Sequence, residues 1–260
     1  PEQLVLNKDH TLFELRKFFR LAIDANPTAI EMLWAPQSCI RECSPLAEKL
    51  LAAREKFLSL KVADSFGKYA LSQLRRIKTH RRWLLEPPKA QPQREEFNLP
   101  GKPVFSGDQI GAAESLIESG KLAHADLPPN FMLILDRERS YRAAIKEWQQ
   151  FQTWQKERNP ARAKLEKEFG YDTKHALHLV RLLRMALEIL ISGEVIVRRP
   201  DREELLAIKQ GTWKFDQLIE YAESMNQKIL EARNGTSLPE FPDNESLNLL
   251  CTEILRGCFA

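Results

Sequence analysis

Apolar residues recur along most of this chain at the three- and four-residue intervals of amphipathic helices. Proline and glycine separate the segments, because proline disfavours the helical conformation in the residue before it. The predicted helices cover residues 15–24, 29–34, 45–58, 65–85, 106–119, 139–158, 160–170, much of 170–198, 201–208, 215–232 and 244–256. Strand character is found only in 5–13 and 194–199. The pattern therefore predicts a mainly α (α+β) protein with a few short strands.

Three of the predicted helix starts carry capping residues. Thr28 follows an Asn-Pro break and offers its hydroxyl to the next helix. Ser106 and Gln109 have the spacing of a capping box, in which each side chain accepts a hydrogen bond from the other residue's backbone N–H. Asp201 is placed to cap the helix that follows it. These residues predict where the three helices begin.

The segment Gly170 to Arg198 contains the most unusual predicted helix. Most of its circumference is apolar, whereas a surface helix normally has one apolar stripe on a polar cylinder. Its polar residues form a narrow stripe: Lys174, His178, Arg181 and Glu188, with Arg184 at the edge. A helix with this pattern is expected to be buried on most sides, so the stripe is predicted to line a cleft. Because buried charges are costly without a partner, an anionic ligand such as a phosphate would fit there.

A structural role explains the same stripe. Glu188 follows Arg181 and Arg184 closely enough to pair with either of them. The Arg184–Glu188 spacing is i, i+4, and such a pair stabilises a helix by about 0.2–0.5 kcal/mol. In this alternative the charges form an ion-pair seam between two helices and bind no ligand. The pattern leaves both interpretations open.

The predicted helix over 65–85 has six basic residues and no acidic residue. A basic face of this kind suits a polyanion, because each phosphate contact releases counterions. The nucleic-acid contacts predicted on this helix are Lys68, Arg75, Arg76 and Arg82. A run of charges on a helix is also a common form of solvated surface, which is the alternative interpretation.

Prolines concentrate between residues 86 and 103, and they interrupt regular structure because they lack a backbone N–H. We therefore predict a Pro-rich linker over 86–105. It would join an N-terminal segment over 1–85 to a helical domain over 106–260.

Composition excludes several classes of protein. The 260 residues carry a net charge of +3, which is too small to identify a partner. No apolar run approaches the ~20 residues that span a bilayer, so we expect no membrane partner and a cytoplasmic location. The four cysteines lack the spacing of a zinc site and are expected to be reduced thiols. The sequence also lacks the glycine-rich phosphate loops and the HExxH and GxSxG motifs.

The chain's clearest histidine pair is His175 and His178, three residues apart on the central helix. Both rings could contact one metal ion only if other ligands came from elsewhere in the fold. A structural or substrate-facing role is therefore the expectation for this pair.

Three long segments resemble one family in particular. They are DHTLFELRKFFRLAIDANPTAIEMLW, FLSLKVADSFGKYALSQLRRIKTHRRW, and GYDTKHALHLVRLLRMALEILISGEVIVRRPDREELLAIKQG, in this order along the chain. Together they resemble nucleotidyltransferases of the DNA polymerase β superfamily that are linked to bacterial RNA repair. The resemblance implies that this chain is the helical bulk of such an enzyme.

The resemblance also implies a metal site. Members of this family have a GS-containing turn followed by a DxD pair, and a third carboxylate just before the LRKFF-like helix. Asp9 occupies the place of that third carboxylate and is the predicted catalytic and metal-binding residue. Three carboxylates hold two Mg²⁺ ions, which clamp the attacking and leaving oxygens of the transfer. The GS turn and the DxD pair do not occur before Asp9. The catalytic segment is therefore expected to be missing, disordered or on another chain, and this chain alone is expected to be inactive.

The preferred interpretation is nucleotidyl transfer from an NTP to an acceptor, with an RNA end as the expected acceptor. In this interpretation Lys174, His178 and Arg181 face phosphates. Lys17, on the helix after Asp9, is a further candidate, although a solvated helix face explains it equally well. The alternative is a noncatalytic helical RNA-binding or adaptor module.

Overall fold

The computed structural model describes residues 2–7, 10–103, 105–120 and 129–258. Helices dominate these residues, which confirms the mainly α fold class. The strands described are β1 (Gln3–Val5) and β2 (Thr11–Phe13), which pair antiparallel with Leu4 opposite Leu12. No helix within the described residues has the length and apolarity that crossing a membrane requires.

The helices follow the hairpin in close succession. They are α1 (Leu15–Ile23), α2 (Pro27–Leu33), α3 (Pro45–Ala52), α4 (Lys61–Leu85), α5 (Gly107–Glu118), α6 (Pro129–Glu157), α7 (Pro160–Phe169), α8 (Thr173–Ser192), α9 (Arg202–Lys209), α10 (Phe215–Gly235) and α11 (Asn244–Gly257). Short 3-10 helices cover Gln37–Cys39, Arg54–Phe57 and Arg94–Phe97. The helix predicted over 45–58 is therefore two elements, because the α-helix ends at Ala52 and a 3-10 turn follows.

The chain divides into two compact units. Unit 1 contains Pro1–Arg81 and Lys164–Ala260, and unit 2 contains Arg82–Ala163. Unit 2 is thus an insertion between two parts of unit 1. The boundaries predicted from the sequence, at 1–85, 86–105 and 106–260, stay a prediction.

The core of unit 1 is built around α8. This helix packs mainly against α10 and α9. Its buried side chains include Leu179, Val180, Met185 and Ile189, which occupy more than one side of the helix. The apolar circumference seen in the sequence is therefore buried on most sides, as predicted. At its two ends α8 is capped by the Asp172 side chain and by Gly193 in the left-handed conformation.

Two helices of unit 1 begin earlier than predicted, α2 at Pro27 instead of 29 and α4 at Lys61 instead of 65. Asn26, not Thr28, caps α2: its Oδ1 accepts hydrogen bonds from the backbone N–H of Thr28 at 3.0 Å and of Ala29 at 3.3 Å. Proline occupies the first position of this helix, where its missing N–H costs nothing. The cap prediction was wrong by two residues because the helix includes Pro27.

The segment after α8 is not a strand. Residues 194–199 have no ladder partner, so the strand predicted there was wrong. Arg199 is held instead by side-chain contacts to Glu188 and to Asp201. Asp201 makes no side-chain cap on α9, because its carboxylate is engaged by arginines. The β-branched residues of this segment pack against the core without pairing with another strand.

Unit 2 has an aromatic core of its own. Aromatic residues at the spacing found on α6 more often pack together than stack on bases. The ring centroids of Phe151 and Trp154 lie 5.7 and 5.4 Å from that of Trp83, and Phe151 is buried, so these aromatic residues pack together. A buried ion pair between Arg94 and Glu138 ties the 3-10 helix to α6. The capping box of Ser106 and Gln109 at α5 is also confirmed.

Candidate functional site

A cavity of about 700 Å³ lies between α1 and α11 in unit 1. Its lining residues are Arg16, Phe19, Arg20, Ile23, Asp24, Asn248, Cys251, Thr252, Leu255 and Arg256. The apolar side chains face the core, and the polar ones stand at exposed positions of the two helices. A cavity with an apolar wall and a few polar groups is the usual form of a small-molecule site.

The cavity is rich in positive charge. Arg16 and Arg20 are one helical turn apart on α1, and Arg256 is on the last turn of α11. Asp24 is the acidic residue of the lining, and it pairs with Lys61 at 2.9 Å. Among the described residues, no ion pair includes Arg16 or Arg256. These two guanidinium groups are therefore available to an anion, for which arginine is well suited.

Arg20 already has an acidic partner. Its Nη2 lies 2.9 Å from Oε1 of Glu2, which is the residue immediately before β1. The hydrogen bond and charge of Arg20 lower the pKa of the Glu2 carboxyl. Lys17 approaches the same residue at 4.0 Å and donates to Gln3 at 3.1 Å. The side chains of Arg20 and Lys17 thus hold the hairpin against α1.

The thiol of Cys251 belongs to the cavity wall and is not poised for reaction. Burial raises the pKa of this thiol. A protonated thiol is a weak nucleophile. Cys251 and Phe19 therefore supply apolar surface beside the arginines.

The described carboxylates near the hairpin have partners within the protein. A second, smaller cavity is lined by Glu2, Glu14, Arg16 and Arg20. Glu2 is paired with Arg20, and Glu14 caps α1 by accepting from the backbone N–H of Lys17 at 2.9 Å. Asp9, the predicted metal carboxylate, lies outside the described residues. The requirement for Mg²⁺ and the role of Asp9 therefore stay predictions.

The polar stripe of α8 is placed away from this cavity. Lys174 is exposed, His178 is partly buried, and Arg181 forms an ion pair with Glu31 of α2. None of the three is among the lining residues of the α1–α11 cavity. Arg181 therefore has a protein partner, as the structural interpretation requires. Binding of phosphate by Lys174, His178 and Arg181 stays a prediction.

The ion-pair seam on α8 exists, but with partners other than those expected. Glu188 pairs with Arg199 in two hydrogen bonds, not with Arg181 or Arg184. Arg184 instead contacts Asp201 at 2.7 Å and Glu204 at 2.7 and 2.9 Å. Arg184 pairs with Asp201 and Glu204 and not with Glu188, the i, i+4 residue. Glu204 forms a bidentate, charge-assisted ion pair with the partly buried guanidinium, which is stronger than a single contact.

The basic face of α4 is largely solvated. Lys68, Arg75 and Arg76 are exposed, and none of the ion pairs among the described residues includes them. Arg82 is also exposed but pairs with Glu147 of α6. Nucleic-acid contact by these four residues stays a prediction, and the structure leaves three of them open to solvent. Arg81, by contrast, turns inward and donates to the carbonyl oxygen of Gly170 at 2.9 Å.

The sequence did not predict that Arg16 and Arg256 line one cavity. Arg16 and Arg20 share a face at i, i+4 spacing next to Phe19, which is a usable signal for a basic edge on an apolar helix. No local pattern indicates that α1 packs against α11. That contact joins the two ends of the chain and arises only in the folded unit.

Comparisons with known proteins cover only the N-terminal part of the chain. No curated protein and no solved structure matches this sequence. One family model matches, and its description refers to RNA repair and to DNA polymerase β. The match spans the hairpin from Leu4 onward, α1 to α3 and all of the basic helix α4. Residues 4–86 match the RNA repair pathway DNA polymerase beta family, which confirms the resemblance for this part of the chain.

Proposed function

We propose that this chain takes part in RNA repair as a nucleotidyltransferase-type protein that binds an NTP and an RNA end. The observation that carries the proposal is the family match over residues 4–86. The family's description implies an RNA repair pathway and a relation to DNA polymerase β. The same matched segment contributes α1 to the basic cavity and supplies the exposed basic face of α4.

The α1–α11 cavity is the proposed nucleotide site. Arg16 and Arg256 would hold phosphate oxygens, because guanidinium groups form paired hydrogen bonds to them. Phe19, Ile23 and Leu255 would pack against the base or sugar. The volume of about 700 Å³ lies within the range of ordinary ligand pockets, about 300–1,000 Å³.

The α4 face is the proposed RNA surface. Lys68, Arg75 and Arg76 are exposed cations that would contact backbone phosphates without reading bases. Such contacts position a nucleic acid and leave sequence selection to other groups. Arg82 is a weaker member of this surface, because Glu147 already neutralises it.

Because this chain alone is expected to be inactive, the experiment is NTP-dependent labelling of RNA in the presence of Mg²⁺ by a protein that contains this chain together with the family's GS turn and DxD pair. The proposal expects label on the RNA with at least one of the four NTPs. Arg16→Ala combined with Arg256→Ala should weaken NTP binding by about tenfold or more, which corresponds to about 1.4 kcal/mol. Arg202→Ala, an exposed arginine outside the cavity, is the matched control. NTP binding that is unchanged by the double substitution would remove the cavity from the proposal.

Asp9→Asn tests the predicted catalytic residue in the same assay. The substitution keeps the size of the side chain and removes the charge that hard cations prefer. Loss of labelling with unchanged thermal melting would support the metal role. Near-normal labelling would remove Asp9 from the active site.

The alternative is a noncatalytic RNA-binding or adaptor module. One observation favours it: the described carboxylates beside the hairpin are committed to Arg20 and to the α1 cap. An adaptor would bind RNA and transfer no label with any NTP. RNA binding without labelling by the protein that carries the GS turn and the DxD pair would therefore decide for the adaptor.

A further inference from the structure

His80, Asp172 and His175 converge in unit 1, although they come from two distant segments of the chain. His80 is near the end of α4, Asp172 immediately precedes α8, and His175 is in the first turn of α8. Their potential ligand atoms all lie within 4.8 Å of one another. These residues play no part in the cavity proposed for the nucleotide.

The two separations between Asp172 and the histidines suit ligands of one metal ion. Oδ2 of Asp172 lies 3.6 Å from Nδ1 of His80 and 3.6 Å from Nε2 of His175. Both separations exceed the usual length of an N–H···O hydrogen bond, about 2.7–3.2 Å. Two ligand atoms this far apart, each about 2.1 Å from one ion, subtend an angle of about 120° at that ion. This angle is close to those of tetrahedral and trigonal sites.

The three side chains of this cluster are largely buried. The Asp172 side chain is 0% exposed, and those of His80 and His175 are 15% and 13% exposed. Oδ1 of Asp172 accepts from the backbone N–H of His175 at 3.0 Å, which caps α8. Oδ2 is the atom that faces both imidazole rings.

The surrounding structure holds the three side chains in place. Arg81, next to His80, donates to the carbonyl oxygen of Gly170 and lies 4.4 Å from the centroid of the Phe215 ring. Tyr171, next to Asp172, donates from its hydroxyl to the carbonyl oxygen of Trp213 at 2.6 Å. The backbone on both sides of the cluster is therefore fixed by contacts that do not involve a metal. Such preorganisation is what a metal site needs.

We infer that His80, Asp172 and His175 bind one zinc-class divalent transition-metal ion. A set of two imidazole nitrogens and one carboxylate oxygen suits Zn²⁺, whereas Mg²⁺ and Ca²⁺ favour ligand sets made of oxygen atoms alone. Three protein ligands leave a fourth position for water or another small ligand. The ion would join the end of α4 to the start of α8. The inference does not depend on nucleotidyl transfer.

The test is metal titration of the purified, chelator-treated chain. Zn²⁺ should bind in a one-to-one ratio by calorimetry and raise the melting temperature. Co²⁺ should give visible absorption without the near-ultraviolet thiolate band, because the ligands are nitrogen and oxygen. A thiolate band would locate the ion at cysteines and overturn the inference.

Matched variants separate the site from adventitious binding. Asp172→Asn keeps the α8 cap, since asparagine is an equally good capping residue, but removes the charged ligand. Asp172→Asn and His175→Gln should each weaken Zn²⁺ binding about 100-fold or more. His178→Gln, one turn further along α8 and outside the cluster, should bind Zn²⁺ like the wild type. Equal Zn²⁺ affinity in wild type, Asp172→Asn and His175→Gln would overturn the inference, as would no binding by the wild type.

Discussion

Arg81 donates a hydrogen bond of 2.9 Å from Nη1 to the carbonyl oxygen of Gly170. This contact joins α4 to the turn before α8, across 89 residues of sequence. It also explains why a basic residue on an apparently solvated helix turns inward. Gly170 has φ +74°, a backbone conformation that is unfavourable for residues with a Cβ. A Cβ at this position would lie 2.9 Å from Nη1 of Arg81.

Gly170→Ala is expected to lower the free energy of unfolding by roughly 2 kcal/mol. The left-handed backbone costs about 1–2 kcal/mol for a residue with a Cβ, and the displaced Arg81 loses a hydrogen bond worth about 0.5–1.5 kcal/mol. Urea denaturation measures the change. Gly67→Ala is the control: it lies inside α4, a Cβ there meets nothing within 4 Å, and alanine should raise stability by about 0.4–1 kcal/mol. Equal effects of the two substitutions would contradict the argument.

Arg184→Met is expected to destabilise unit 1 by about 2 kcal/mol. The side chain of Arg184 is 15% exposed, and its loss would leave Asp201 and Glu204 without their shared partner. This loss of stability should be smaller than the roughly 3–5 kcal/mol lost when one partner of a fully buried ion pair is removed, because Glu204 is partly exposed. Arg202→Met removes an arginine that is 70% exposed and pairs with Glu203, and should change stability by less than about 0.5 kcal/mol. Chemical denaturation of both variants measures the difference.

The ion pairs of Arg184 should also make the free energy of unfolding depend on pH. Burial raises the pKa of Asp201, but hydrogen bonds from Arg199 and Arg184 outweigh it, and the pKa lies below the ordinary 3.8. The hydrogen bond from Arg184 also lowers the pKa of Glu204 below 4.5. Carboxylates with lowered pKa stabilise the fold above their ordinary pKa, and this contribution is lost as the pH falls through the lowered value. The stability difference between wild type and Arg184→Met should therefore shrink from about pH 6 to about pH 3. A difference that grows on acidification would contradict the assignment.

The sequence predicts local features of this fold better than long-range ones. The capping box of Ser106 and the apolar circumference of α8 are local patterns, and both are present in the structure. The partner of Glu188 was missed because Arg199 reaches it through a turn that no helical spacing describes. Residues 194–199 look like a strand because β-branched residues suit both strands and packed extended segments.

The candidate sites also depend on long-range contacts that the sequence does not predict. Arg16 and Arg256 meet because α1 packs against α11, and His80 meets His175 because α4 reaches the turn before α8. Each pair is brought together by tertiary packing, which sequence spacing does not encode. The basic face of α4 needs no such partner, and the sequence alone identifies its exposed members.

Arg75→Ala and Arg82→Ala are expected to affect RNA binding unequally. Both residues are exposed on α4, but Arg82 already pairs with Glu147, whereas no ion pair among the described residues includes Arg75. If α4 contacts RNA phosphates, Arg75→Ala should reduce the log–log salt slope of binding by about one unit, because one fewer counterion is released. Arg82→Ala should reduce it by less, because its charge is largely neutralised before RNA arrives. Fluorescence titrations of a labelled single-stranded RNA at several salt concentrations measure both slopes, with Arg202→Ala as the control. If the slope and affinity of Arg75→Ala equal those of the wild type, the basic face of α4 is an ordinary solvated surface.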